Sequence, residues 1–229
     1  MARTGSLEMA ACHHGSAVEL ASCHVLVLSA SVREDSLNTR LARLAAAAIE
    51  DGGHVAELAT MGEFPAGPYD GDLESEGRFP EGAEELRRRI EETDAFVIVS
   101  PEYNASMPGL LKNAIDWVSR FRPQPFHQRH GLLLSASPSR VGGNRGLWAL
   151  RVPLEHLGAR IYPDMFSLAQ AHDAFDGERL ANEGLQKRLE STIAGFLALA
   201  EAEKRYPSLK TAWVEFLGER PEPIIDRVE

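Results

Sequence analysis

The sequence predicts a doubly wound parallel α/β sheet with helices on both faces. Short aliphatic and β-branched runs suit strands buried on both sides, and segments of helical period lie between them. The polar, glycine-rich and proline-rich stretches follow the strand candidates, where crossover helices begin.

The elements follow in order. Residues 1–22 are small and mixed and read as a mobile tail. Residues 24–28 form a strand that runs out into Ser29, Ala30 and Ser31. Leu37, Leu41, Leu44, Ala45 and Ala48 then recur at helical spacing, and Gly52 and Gly53 stop that helix. Residues 54–59 read as a second strand, and 62–82 as a long loop rich in proline, glycine and acids. A charged helix over 81–92 precedes the clearest strand, 95–100, which Pro101 ends. The next helix spans 108–120, with Pro108 in its first turn and Leu110, Ala114, Trp117, Val118 and Phe121 on one face. Trp117 and Phe121 are expected in the core or an interface. Residues 131–136 are a fourth strand, and a turn at 142–146 opens a helix to about 157. A short fifth strand at 160–163 and a long helix over 178–204 follow. Residues 206–229 form an extension whose apolar cluster, Trp213, Val214, Phe216 and Leu217, would cover its own domain or reach a neighbouring subunit. Five such units suit the flavodoxin-like strand order 2-1-3-4-5 over residues 23–205. Ligands of that order sit beyond the carboxyl ends of strands one and three.

Composition narrows the function. The 229 residues are 44% hydrophobic and 25% charged, ordinary for a globular protein with a real core. A net charge of −10 argues against nucleic-acid and acidic-membrane binding. Two cysteines, Cys12 and Cys23, exclude a disulfide scaffold, and the eight histidines show no metal-ligand spacing. No apolar run approaches the roughly 20 residues of a membrane span, and Glu8, His13, His14 and Glu19 interrupt any signal-peptide core. A cytoplasmic protein is expected. Charge is uneven: residues 63–94 hold eleven acids and four bases, and residues 107–160 eight bases and two acids. These are two solvated faces, or else the basic stretch attracts an anionic small molecule.

Three loops carry the chemistry. The first has Ser29, Ser31, Arg33, Ser36 and Asn38 at the opening of a helix, whose free N–H groups and partial positive charge suit a phosphate. Equally, Ser36 or Asn38 is an N-cap. The second, over 100–109, holds Glu102, Tyr103, Asn104 and Ser106 between Pro101 and Pro108, a rigid frame for the polar edge of a flat heterocycle. Ser106 could instead cap the next helix. The third contains Ser137 and the pair Gly142–Gly143, which either brings backbone close to a ligand or makes an ordinary turn. The dinucleotide fingerprint G-x-G-x-x-G, the P-loop and the G-x-S-x-G elbow are missing. Cys23 precedes its strand and reads as a small buried residue, not a thiol nucleophile.

The run PEYNASMPGLLKNAIDW at 101–117 resembles the signature of the NADPH-dependent FMN reductase family, which includes flavin, quinone, azo-dye and chromate reductases. The first loop resembles its G-S-x-R-x-x-S-x-N phosphate motif, with Ala30 where glycine is common. The third resembles its last flavin-binding turn. The resemblance implies that Ser31, Arg33, Ser36 and Asn38 hold an FMN phosphate. Pro101, Glu102, Tyr103, Asn104 and Ser106 would line the isoalloxazine, largely through their backbone, with Ser137, Gly142 and Gly143 at its other edge. It implies hydride passing from NADPH through FMN to a small acceptor by alternating use of one site, in a homodimer or homotetramer, with no protein acid or base assigned. Arg33, Arg140 and Arg145 are candidates for the NADPH 2′-phosphate. The alternative is a flavodoxin-type electron carrier that holds FMN without oxidising NADPH.

Overall fold

The computed structural model describes residues 22–217, the last thirteen of them as backbone only. Residues 1–21 and 218–229, and the side chains of Trp213, Val214, Phe216 and Leu217, lie outside that description.

Five parallel positions make the main sheet, in the order β2-β1-β3-β4-β5. They are β1 (His24–Ser29), β2 (Val55–Thr60), β3 (Ala95–Val99), β4 (His130–Ala136) and β5 (Arg160–Ile161). The crossover helices are α1 (Leu37–Asp51), α3 (Glu81–Glu92), α4 (Gly109–Val118) and α5 (Asn144–His156); a short α2 (Gly71–Ser75) lies between β2 and α3. Strand side chains alternate between two cores. Val25, Val27, Val97, Val99, Leu132 and Leu134 pack on α1 and on the final helix, α6 (Glu183–Leu217). Leu26, Leu28, Phe96, Ile98 and Leu133 pack on Leu86 and Ile90 of α3, Leu111 and Ile115 of α4, and Leu147 and Leu150 of α5. Burial on both faces is why these strands read as unbroken apolar runs.

The fifth position departs from the expected strand over 160–163. β5 pairs His130 and Gly131 for two residues only. The chain then leaves the sheet around Pro163, which has no N–H to give a ladder, and returns as β6 (Phe166–Leu168) beside Leu134, Ser135 and Ala136. The last helix also begins later than residue 178. Phe175–Asp176 and Arg179–Leu180 form a small hairpin, β7 and β8, about Gly177, whose φ is +56°. Asn182 then accepts the Leu185 N–H, so the helix starts at Glu183. Its backbone continues past Lys204 to Leu217.

The 62–82 segment is ordered against α4. Asn113 accepts the Tyr69 N–H (2.8 Å) and donates to the Gly67 carbonyl (2.9 Å), and the Trp117 indole N–H donates to the same carbonyl (2.8 Å). Trp117 is fully buried with Phe121, and Ala66, Leu73 and Phe79 of the segment pack on them. The expected single apolar face of Leu110, Ala114, Trp117, Val118 and Phe121 is therefore split: Ala114 and Val118 face the sheet, Trp117 and Phe121 face the 62–82 segment, and Leu110 is exposed, because α4 is packed on two sides. No helix among the described residues is long and apolar enough to cross a membrane.

Candidate active site

Three strand ends stand level at one rim. Ser29 pairs with Val99, and Val99 with Leu134. Ala30 donates to the Val99 carbonyl and Ser100 to the Leu134 carbonyl, both at 2.9 Å. The loops after β1, β3 and β4 therefore leave the sheet side by side at its switch point.

In the first loop the hydroxyls divide their work. Ser36 is the N-cap of α1 and accepts the N–H groups of Asn38 (3.2 Å) and Thr39 (3.4 Å). Asn38 is buried and engaged at both ends of its amide: it donates to the Ala136 carbonyl (3.0 Å) and accepts the Ala136 N–H (2.9 Å). It ties α1 to the end of β4, 98 residues away. Ser29 and Thr39 share a buried hydroxyl hydrogen bond of 2.8 Å. Ser31 accepts the Arg33 N–H (3.3 Å). Arg33 is exposed beside the start of α1, as are Glu34 and Asp35.

The second loop is a two-residue hairpin. Tyr103 and Ser106 exchange backbone hydrogen bonds of 2.9 and 3.0 Å. Between them Asn104 and Ala105 both adopt positive φ, 52° and 61°, the pattern of a type I′ turn. Ser106 thus closes the hairpin, and α4 is capped at Pro108 without a side-chain bond. Tyr103 is half exposed at the rim, whereas Pro101 is buried.

Glu102 turns away from both. Its carboxylate accepts the Gly146 N–H (3.1 Å) at the first turn of α5 and meets the Arg145 guanidinium at 2.6 Å. Burial pushes the Glu102 carboxyl up, but the Gly146 N–H and Arg145 outweigh it and hold it below the usual carboxylate range.

In the third loop, Gly142 and Gly143 have φ of +67° and +87°. A Cβ on Gly143 would stand 1.9 Å from the Ser135 Oγ, and one on Gly142 2.9 Å from the Ala169 nitrogen. The close approach these glycines permit is to the protein itself. Ser137 donates its N–H to Leu168 (3.0 Å), and its hydroxyl accepts the Ser139 N–H (3.2 Å).

The charge blocks resolve into pairs. On α3, Arg88 bridges Glu85 and Glu92, and Arg89 meets Glu57, Glu63 and Glu85, so the acidic stretch is largely a salt-bridged surface. In the basic stretch Lys112 pairs with Asp116, Arg151 with Glu155 and Arg160 with Glu203, while Arg129 donates to the Thr93 and Glu91 carbonyls. Arg120, Arg122 and Arg160 line a cleft of about 550 Å³ at the opposite end of the sheet from the three loops. Only Arg140 and Arg145 of that stretch flank the third loop.

Three interactions were not visible in the residues: the double bond of Asn38 to Ala136, the Glu102–Arg145 pair and the Asn113–Trp117 grip on 66–69. For the last there was a signal. Asn113 and Trp117 lie four apart on one helix face, and a buried indole N–H needs an acceptor.

This is the architecture of flavodoxin-like flavoenzymes: a 2-1-3-4-5 parallel sheet with its loops gathered at the carboxyl rim. The chain belongs to the NADPH-dependent FMN reductase family, whose model matches residues 23–173. It is 39% identical to a quinone reductase of Escherichia coli over 60% of this chain and 72% of that protein. It is 36% identical to an NAD(P)H-dependent FMN reductase of Pseudomonas aeruginosa over 73% and 91%. Among solved structures, the flavoenzyme NAD(P)H:(acceptor) oxidoreductase FerB of Paracoccus denitrificans matches with 29% identity and a TM-score of 0.67, covering 79% of this chain and 98% of that one.

The residues present fit the family's cofactor. The first loop offers an exposed guanidinium, a hydroxyl and the N-terminus of a fifteen-residue helix with no acid in its first turn, a donor set for a phosphate. The second offers a rigid backbone edge and an exposed phenol ring.

Proposed function

We propose that this protein passes hydride from NAD(P)H through bound FMN to a small acceptor, quinones first among them, with reductant and acceptor using one site in turn. Family membership supports the cofactor and the reductant. The observation that carries the reading is the alignment of three loops at one rim, with a type I′ hairpin fixed in the middle.

FMN supplies the two-electron chemistry when bound. The chain's part is to bind and orient. Ser31, Arg33 and the start of α1 hold the phosphate, while Ser36 and Asn38 shape that loop from behind: their side chains are committed to protein. The backbone of Pro101, Glu102, Tyr103, Asn104 and Ser106 forms the edge facing the ring; the Tyr103 and Ser106 N–H groups close the hairpin, and those of Glu102 and Asn104 stabilise charge gathered on the ring's polar side. Ser137, Gly142 and Gly143 close the other edge, the two glycines by making the turn possible. Tyr103, exposed at the rim, offers a stacking surface to the incoming ring.

The protein is read as cytoplasmic and as a homodimer or homotetramer. Trp148 and Val152, four apart on α5 and 55% and 69% exposed, form an apolar stripe of the kind subunits cover.

The test is direct. Purified protein is expected to be yellow, with about one FMN per chain, to bleach within seconds on anaerobic NADPH, and to give parallel double-reciprocal lines with a quinone. Failure to bleach would favour an electron carrier; failure to take up FMN would end the reading.

A further inference from the structure

Glu102 lies on the loop assigned to the flavin ring, yet its carboxylate is bound elsewhere. Its side chain is 7% exposed, and it accepts from the Gly146 N–H and from Nε (2.9 Å) and Nη2 (2.6 Å) of Arg145. Gly146 makes the approach possible: a Cβ there would stand 3.1 Å from both the Glu102 Cβ and the Ser106 carbonyl oxygen. The hairpin therefore rests on the bare first turn of α5. A carboxylate at a helix N-terminus is favourable, and the two oxygens are divided: Oε2 takes the Gly146 N–H and Oε1 takes both guanidinium nitrogens, so the carboxylate is held from two sides. A pair with one exposed member contributes little net stability, so its effect is on the placing of the loop. Arg145 is 59% exposed, so it is otherwise a surface residue.

We propose that Glu102 is a positioning residue: it clamps the 103–106 hairpin to the first turn of α5, so that the second and third loops form one rigid wall for the isoalloxazine, and its side chain does not contact the ring. The inference rests on the reading that the chain binds FMN. Freed of the clamp, the hairpin keeps its own two backbone bonds but loses its fixed place against α5, and FMN must order it on binding.

The experiment is titration of apoprotein with FMN, followed by quenching of flavin fluorescence and by visible circular dichroism of the bound flavin. Glu102→Ala and Arg145→Ala are each expected to raise the FMN Kd about tenfold and to alter the flavin dichroism. The double variant is expected to be no worse than either single, because both remove one clamp. Glu102→Gln has one acceptor oxygen where the carboxylate uses two, so it keeps the Gly146 N–H, loses the Arg145 contact and is expected to bind FMN as Arg145→Ala does. Arg145→Ala, a surface change, is expected to leave the thermal midpoint of the apoprotein unchanged, and it decides the matter should Glu102→Ala not fold. Single variants within twofold of the parent Kd, additive losses, or a Gln variant that binds FMN as tightly as the parent would each overturn the clamp. A parent apoprotein that fails to quench FMN would instead overturn the underlying reading.

Discussion

Ala105 carries a left-handed φ of 61° without glycine's freedom, next to Asn104 at 52°. Asparagine tolerates that region through local hydrogen bonding, but alanine sits there at a cost of about 1–2 kcal/mol. Glycine relieves the clash and loses part of the gain to backbone entropy. Ala105→Gly is therefore expected to raise stability by about 0.5–1 kcal/mol, read as a higher urea midpoint. Arg33 and Asn38 separate at the same scale. Arg33 is exposed, so Arg33→Ala is expected to weaken FMN by about tenfold while the apoprotein midpoint holds, measured by titration and thermal melting. Asn38→Ala strands a buried N–H and a buried carbonyl of Ala136, and is expected to cost about 2–4 kcal/mol of stability. A flavin loss in that variant would report on the fold as well as on the phosphate loop.

At the scale of elements, the 62–82 segment and α4 act as a unit. Asn113 and Trp117 hold its backbone, and Trp117 fills the space beneath Phe79 and Tyr69. Trp117→Ala removes a fully buried ring and is expected to cost about 3–5 kcal/mol. Asn113→Ala is expected to cost about 1 kcal/mol and to speed proteolytic cleavage within 64–80, seen by limited digestion. The helix was legible from Ala114, Trp117, Val118 and Phe121 at helical spacing, but Leu111 and Ile115, and not Leu110, complete its face toward the sheet. What the other face of α4 holds was not legible, because its partners lie some fifty residues back.

Across the whole molecule, acid stability is set at the end of the sheet away from the three loops. Burial and nearby Arg160 hold the His130 imidazole below its ordinary value, against Glu203. The folded chain keeps it neutral while the unfolded chain takes a proton, so stability falls as pH drops below about 6.5. Burial raises the Asp94 carboxyl, but Lys204 and the His24 N–H outweigh it and hold it low. Its contribution is complete above about pH 4 and is lost as pH falls through the lower folded value. A two-stage loss of the urea midpoint on acidification is expected, and His130→Leu should abolish the stage near pH 6 while leaving the stage below pH 4.

By itself the sequence determined the alternation of strands and helices, the strand order it implies, and the three loops that gather at the rim. These rest on local signals: unbroken apolar runs, helical spacing, and glycine or proline at the ends. Only the tertiary structure decided what those loop residues hold. Asn38 finds Ala136 across 98 positions, Glu102 finds Arg145 across 43, and the edge of β4 takes two short partners in place of one strand. Side-chain partners so far apart leave no period in the chain. They exist once the sheet brings the loops level, and each buried polar group then bonds to whatever donor or acceptor folding has set beside it.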